Sequence, residues 1–290
     1  MNSNDLIVYS NDELEAMREA KALLLQEKFC QRYKRSSSFT EDEISKRHLA
    51  ITTIICKSRP EEAAIKYIEW IRTLSNWGIS SLNDDQLMRS CKRTDYYLKF
   101  YKLAGKDIHG TNTFWIESNE NIPNDLEEEK FSILCGIRYH MAIHSCPKTL
   151  REGLTFVINV TNKPKERVGN EKRMQKVNQS YPLRPKYIFI VGASKLMRLT
   201  INTLLKIGGI VTKVKILKRI RFATLEEIVD MQNGGSIPKE SLPRHLQECN
   251  IENSSFESMK NHEGDALRPH QEEIAEWVKT RIEAIPIPNI

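Results

Sequence analysis

The chain has 290 residues, 40% apolar and 28% charged, which is enough for a large core and one or two domains. No run of about 18 apolar residues occurs, so no membrane-spanning helix is expected. The first residues, MNSNDLIVYSNDELEA, are acidic and hold no apolar signal core, so a cytoplasmic protein is expected. The net charge of +6 hides an asymmetry: residues 151–221 carry 17 Lys/Arg against 3 Asp/Glu, a local +14, and the rest sums to −8. A basic half fits an anionic partner, such as nucleic acid or an acidic membrane surface, as well as it fits a solvated face. Six cysteines, at 30, 56, 91, 135, 146 and 249, form no C-x-x-C pair and are expected to be free, buried thiols.

The first ninety residues are predicted to be helical. Ser10 with Glu13, Thr40 with Glu43 and Ser58 with Glu61 each fit the S/T-x-x-E capping box, which satisfies the orphan amides of a helix start. Pro60 suits a first-turn position. Ile65, Ile68, Ile71, Leu74 and Trp77 then make one apolar stripe, with Trp70 off it and free to pack on a neighbour. Gln86 to Leu103, rich in Tyr and Phe, continues the helical pattern.

The texture changes at Gly105. Thr111 to Ile116 is predicted as a strand, Asp125 to His144 as a long helix, and Pro147 and Gly153 as its exit. Leu154 to Val160 is a continuous apolar run, which fits a strand buried on both faces. A basic connection, Asn162 to Gln179, leads to a strand at Tyr187–Val191. A further strand is predicted at Thr212–Lys218, a short helix at Thr224–Met231, and a closing turn at 237–246, IPKESLPRHL. Strands alternating with helices over long connections give an α/β fold with a largely parallel sheet. Residues 250–268 look like a polar linker. His270 to Ile285 places Ile274, Trp277, Val278 and Ile282 on one side, an amphipathic helix expected to pack back on the body.

Few of the chemical patterns are specific. Gly192-Ala193-Ser194-Lys195 follows a strand and opens an apolar helix, the layout of a phosphate loop, but it lacks the glycines of either a Walker or a Rossmann turn. Ser194 can cap the helix instead. His140 and His144, four apart, share a helix face and can grip a metal, but Met141 replaces the glutamate of a metalloprotease pair. They fit equally a pair of helix-face histidines near a C-terminus. No G-x-S-x-G elbow occurs, and Glu127-Glu128-Glu129 is the acidic first turn that a helix dipole favours. No catalytic residue, metal site or cofactor is expected. Aromatics sit inside the strands rather than among the lysines, so nucleic acid is not expected as a partner. What remains is a pocket: an apolar helix, Leu196 to Ile207, ending in Gly208-Gly209 beside a basic rim.

At this point the order of blocks resembles the CRAL-TRIO lipid-binding domain. Asp107-Ile108-His109-Gly110 with the following strand looks like the family's first-strand motif. Leu154 to Asn159 looks like its central strand. Tyr181-Pro182 and Tyr187 to Ala193 resemble the "YPERL…IINAP" segment, with Ser194 where Pro is usual. Lys215-Ile216 resembles the "K-I" of the next strand, and Leu242-Pro243 the closing "LPxxxGG", with Gln247-Glu248 in place of the glycines. In phosphatidylinositol-binding members the Glu after Tyr-Pro and the Lys before the strand isoleucine hold the headgroup. Here the first position is Leu183 and the second Lys215.

The resemblance implies a CRAL-TRIO-like, mostly parallel sheet flanked by helices over residues 91–250. An all-helical module (1–90) would precede it, and a linker with an amphipathic helix (251–290) would follow. It implies one hydrophobic ligand, a phospholipid or similar small molecule, carried or presented at membranes without covalent chemistry. The residues expected at the ligand are Lys215, Arg184, Tyr181, Phe114, Ile190, Leu204, Leu205 and Ile207, with Gly208 and Gly209 as the hinge of a gate. The basic segment 163–186 would lean on an anionic membrane surface, making the protein peripherally membrane-associated. One alternative role is a non-catalytic membrane or protein-interaction module with a degraded pocket. Another is an enzyme using a phosphate or nucleotide at Gly192–Lys195.

Overall fold

The computed structural model describes residues 6–79, 83, 101–102, 104–117, 126–161, 181–199, 219–230, 236–247 and 268–290. Helix α1 (Asn11–Leu24) begins with the expected reciprocal cap. Ser10 Oγ accepts from the Glu13 amide at 3.2 Å, and the Glu13 carboxylate accepts from the Ser10 amide at 2.9 Å. Helix α2 (Glu27–Arg32) follows. At Thr40 the Glu43 carboxylate accepts the Thr40 amide at 2.8 Å, but it heads only a 3-10 turn, Glu41–Glu43. Helix α3 (Lys46–Ile55) is capped by Ser45, whose hydroxyl accepts the His48 amide at 3.0 Å.

The box expected at Ser58 and Glu61 does not form. Helix α4 (Pro60–Leu74) starts one residue later, with Arg59 as its cap and Pro60 at the first helical position. Ser58 is in a left-handed conformation, φ 53°. Proline fixes the φ of a first-turn residue and is favoured at the first helical position, so it sets the start instead. The buried face of α4 is wider than one stripe. Tyr67 and Trp70 are fully buried beside Ile68, Ile71 and Leu74, while Ile65 is only half-buried. Of the aromatic stretch predicted as helix to Leu103, Tyr101–Lys102 is strand β1; residues 84–100 and Leu103 lie outside the described residues.

Strand β1 pairs antiparallel with β2 (Thr113–Glu117). From β2 the sheet continues through β3 (Leu154–Asn159), β4 (Pro185–Val191) and β5 (Ile220–Ala223), four parallel strands in chain order. The strand predicted at Thr212–Lys218 lies outside the described residues, as does the basic connection 162–180. Strand β5 opens on Ile220, directly after Arg219, while Lys215 and Ile216 lie outside the described residues.

Between β2 and β3 run α5 (Leu126–Ile143) and a short α6 (Pro147–Glu152). Pro147 and Gly153 are the opening and closing of α6 rather than a bare turn, proline supplying the first-turn φ and Gly153 a φ of 104°. A Cβ at Gly153 would strike the Arg184 carbonyl, so this glycine also lets β4 approach.

Strand pairing gives the sheet two unlike faces, because side chains alternate along each strand. One face carries two apolar rows, Phe114–Phe156–Ile188–Ile220 and Ile116–Ile158–Ile190–Phe222. Its β2–β3 end is covered by α5, and through α5 its core continues unbroken into α1, α3 and α4. Hence the core runs straight across the domain boundary expected near residue 90. The other face carries Trp115, Val157, Phe189 and Val191. It is covered by α7 (Leu225–Val229), a 3-10 turn at Lys239–Ser241 and α8 (Arg244–Gln247), through Ile228, Ile237, Leu242 and Leu246.

Helix α9 (Arg268–Glu283) packs back as expected, burying Ile274, Val278 and Ile282 and setting Trp277 5.9 Å from Tyr139 of α5. Beyond it the chain is tied to the N-terminal helices. Tyr9 Oη donates to the Pro286 carbonyl at 2.9 Å, Arg47 Nε to Ile285 at 2.9 Å and Lys21 Nζ to Ile290 at 3.1 Å. Cys30, Cys56, Cys135 and Cys146 are free and buried.

Candidate functional site

The apolar sheet face is the feature that could receive a ligand, and it changes along its length. Under α5, Phe114 is fully buried, its ring stacked 4.6 Å from His140 and 4.7 Å from Phe156. Along the rows Ile116, Phe156, Ile158, Ile188, Ile220 and Phe222 are half-buried, while Ile190 is buried in a small cluster with Val160 and Ala193. Met197, on the helical turn that begins at Lys195, packs on this cluster.

Of the residues expected at a ligand, four are described. Phe114 and Tyr181 lie in the aromatic core under the helical module, not on an open wall. Tyr181 stacks on His140 at 4.3 Å and meets His48 edge-on at 5.6 Å and Trp70 at 6.0 Å. Burial pushes its phenol up from the ordinary range. Ile190 is buried in the small cluster near the carboxyl end of β4. Arg184 stands just before the foot of β4, where its guanidinium donates to the Arg151 carbonyl and its own carbonyl accepts the Leu154 amide at 3.0 Å. Arg184 and Ile190 are therefore six residues apart along one strand, about 20 Å. Arg219, at the foot of β5, donates from Nη1 to the Pro185 carbonyl at 2.6 Å. Arg184 and Arg219 thus put two cations at the same edge of the sheet, both oriented by backbone carbonyls of neighbouring segments. Lys215, Leu204, Leu205, Ile207 and the hinge glycines 208 and 209 lie outside the described residues.

The turn after β4 is built for close packing. Gly192 has φ 74°, and a Cβ there would collide with Thr161. Thr161 is itself held by Asn159, whose Oδ1 accepts from its hydroxyl at 2.7 Å and its amide at 3.1 Å. Ser194 accepts the Met197 amide at 3.2 Å, the cap expected for the following helix. Arg198 folds back to the Ala193 carbonyl at 3.0 Å and lies 5.9 Å over Phe222. Leu196 and Leu199, by contrast, are 74% and 64% exposed.

Sequence reasoning missed two features. Arg219 was masked by its run of basic neighbours, Lys218-Arg219-Ile220-Arg221; only the pairing of β5 with β4 shows which one starts the strand. His48 carries no local signal. Its ring stacks on Trp70 at 3.8 Å and 10°, and it stands with His140 and His144 in one buried group. Desolvation is the main cause that holds His48 down to about 3 and His144 to about 4, with His140 also well below the ordinary range; for His48 the neighbouring His144 charge adds to it. Among the described residues no group of three or more His, Cys, Asp or Glu is placed to hold a metal ion. Nor is any described helix long and apolar enough to cross a membrane.

The fold defines a mixed α/β protein, built on a four-stranded parallel sheet flanked by helices. No family model and no curated protein matches the chain.

Proposed function

We propose that the chain is a CRAL-TRIO-like lipid-binding protein that holds a single hydrophobic ligand, a phospholipid, and carries or presents it at membranes. The observation that supports this is the pair of apolar rows on one sheet face, where Ile188, Ile220 and Phe222 are half-buried around the buried Ile190 at the β4–β5 end. Acyl chains laid along such rows gain roughly 0.8 kcal/mol per buried methylene, so a few contacts of this kind supply most of an affinity. A headgroup phosphate is then met by Arg219, which stands directly before β5, with Arg184 near it at the sheet foot. Lys215 is the alternative cation for the same role. The basic segment 163–186 and the exposed Leu196 and Leu199 suit an approach to an anionic membrane surface, at about 1 kcal/mol per well-placed Lys or Arg.

Native mass spectrometry of the purified chain, with extraction and identification of what co-purifies, tests this. One lipid per chain is the expected result. A chain that is empty, and that binds anionic vesicles only through salt-sensitive charge, would leave a membrane-interaction module and no carrier. Arg219→Ala is expected to lower uptake of a phosphate-bearing lipid about tenfold, and Lys215→Ala to do so only if the cation role falls there instead.

A further inference from the structure

We propose that the seat of the N-terminal helical module is an acid-opened latch, in which His48 of α3 and His144 of α5 stay neutral and dry while the module is closed. The geometry fixes which nitrogen would take a proton. His144 Nδ1 lies 2.6 Å from the His140 carbonyl, which can only accept, so the hydrogen is on Nδ1 and Nε2 is a bare lone pair. His48 Nδ1 faces the Thr52 hydroxyl at 3.5 Å, and that hydroxyl already donates to the His48 carbonyl at 2.8 Å, so His48 is the donor and its Nε2 is again bare. Both Nε2 atoms are buried without a hydrogen-bond partner, and so are Tyr181 Oη and Trp70 Nε1 beside them.

Among the described residues, the rings and charges packed around this group include no carboxylate that would balance the new charge. From α4 the group meets Tyr67, whose oxygen is occupied by the Ser45 amide at 3.0 Å, and Trp70. From α5 it meets His140, and the nearby buried charge on that helix, Arg138, is of the wrong sign. Tyr181 comes from the segment before β4. The buried acid of α1, Glu13, is held by two hydrogen bonds from Arg151 of α6, both 2.8 Å. No described carboxylate lowers the cost of charging any of the three histidines, whereas their own mutual repulsion raises it. A proton can therefore enter at Nε2 only if α3 parts from α5 and water follows. The open form regains ordinary imidazoles, so its population rises by up to about tenfold per pH unit per histidine below about pH 6.5.

Hydrogen–deuterium exchange of the full chain at pH 7.5 and pH 5.0, corrected for intrinsic rates, tests the latch. Amides of α3 and α4 are expected to exchange at least about thirtyfold faster at pH 5.0, while those of β3 and β4 keep their protection. The double variant His48→Phe/His144→Gln, which keeps the ring on Trp70 and a donor to the His140 carbonyl, is expected to lose the acid response. An unchanged wild type, strands that open in step with α3, or a double variant that responds like wild type would each overturn the proposal. A second measurement needs no variant: the denaturant-derived unfolding equilibrium between pH 6 and 5 should shift by more than about tenfold per unit, and a smaller shift also overturns it.

Discussion

The two ends of the same sheet face are built from the same kind of residue and are put to different use. At the β2–β3 end, Phe114 is sealed between His140 and Phe156, beneath a group of rings whose polar atoms touch no water. At the β4–β5 end the rows continue as Ile188 with Ile220 and Ile190 with Phe222, aliphatic or aromatic throughout and half-buried but for Ile190. The first end therefore stabilises the fold and makes it sensitive to protons. The second presents four apolar side chains, with the Arg198 guanidinium over Phe222 and the cations Arg184 and Arg219 at the strand foot, where a headgroup would be. Dense packing and ligand capacity exclude one another locally, since interiors as tightly filled as the first end leave no room for a guest.

The largest way to break this contrast is a cavity at the sealed end. Trp70→Ala is expected to cost about 4 kcal/mol in urea denaturation, because a fully buried ring leaves a void. Ile220→Ala, at the β4–β5 end, should cost only about 1 kcal/mol yet lower ligand uptake; equal losses of stability at the two sites would erase the distinction.

Next comes acid. His48 and His144 are held below their unfolded value, so they oppose folding when protons are plentiful. Their stabilising deficit is absent above about pH 6.5 and grows as pH falls toward 4 and 3. Thermal melts from pH 7.5 to 5 should show a falling Tm in wild type and a flatter profile in His48→Phe.

A smaller effect is expected at the Glu13–Arg151 pair, which joins α1 to α6 at the edge of the sealed region. Burial would raise the Glu13 carboxyl, but the Arg151 hydrogen bond and charge and the Ser10 amide outweigh it and hold it below the usual range. Arg151→Ala is expected to cost about 2 kcal/mol at pH 7, discounted for the partial exposure of the arginine. That loss should disappear in acid, as Glu13 takes up a proton. The smallest test concerns helix starts. Ser10→Ala should cost about 1 kcal/mol, whereas Ser58→Gly should leave stability within about 0.5 kcal/mol, because Ser58 caps nothing and sits at positive φ.

Much of the architecture was legible from short-range pattern. The Ser10–Glu13 box, the buried run at Leu154, the strand at Tyr187 and the amphipathic stretch with Ile274, Val278 and Ile282 each declare themselves within one or two turns of chain. Ser58 misled because Pro60, two residues on, sets the helix start by its own geometry. Ile220–Ala223 was not anticipated as a strand, because so short a run does not say whether it finds a partner. Pairing with Ile188 to Val191 decides it, and with it the identity of Arg219 as the strand-opening cation.

The site was less legible than the fold. Phe114 and Ile190 both look like wall residues in sequence, and register puts them in adjacent rows of one face. Only the tertiary packing puts the first in the large core under α5 and the second in a small separate cluster with Val160 and Ala193. His48, Trp70 and Tyr181 are separated by up to 133 positions and share no periodicity. By itself the sequence determined what each segment can be, because helix and strand preferences act over a few residues. The tertiary structure decided which imidazoles are dry, which arginine opens a strand and which part of an apolar face joins the large core, because burial depends on what arrives from elsewhere in the chain.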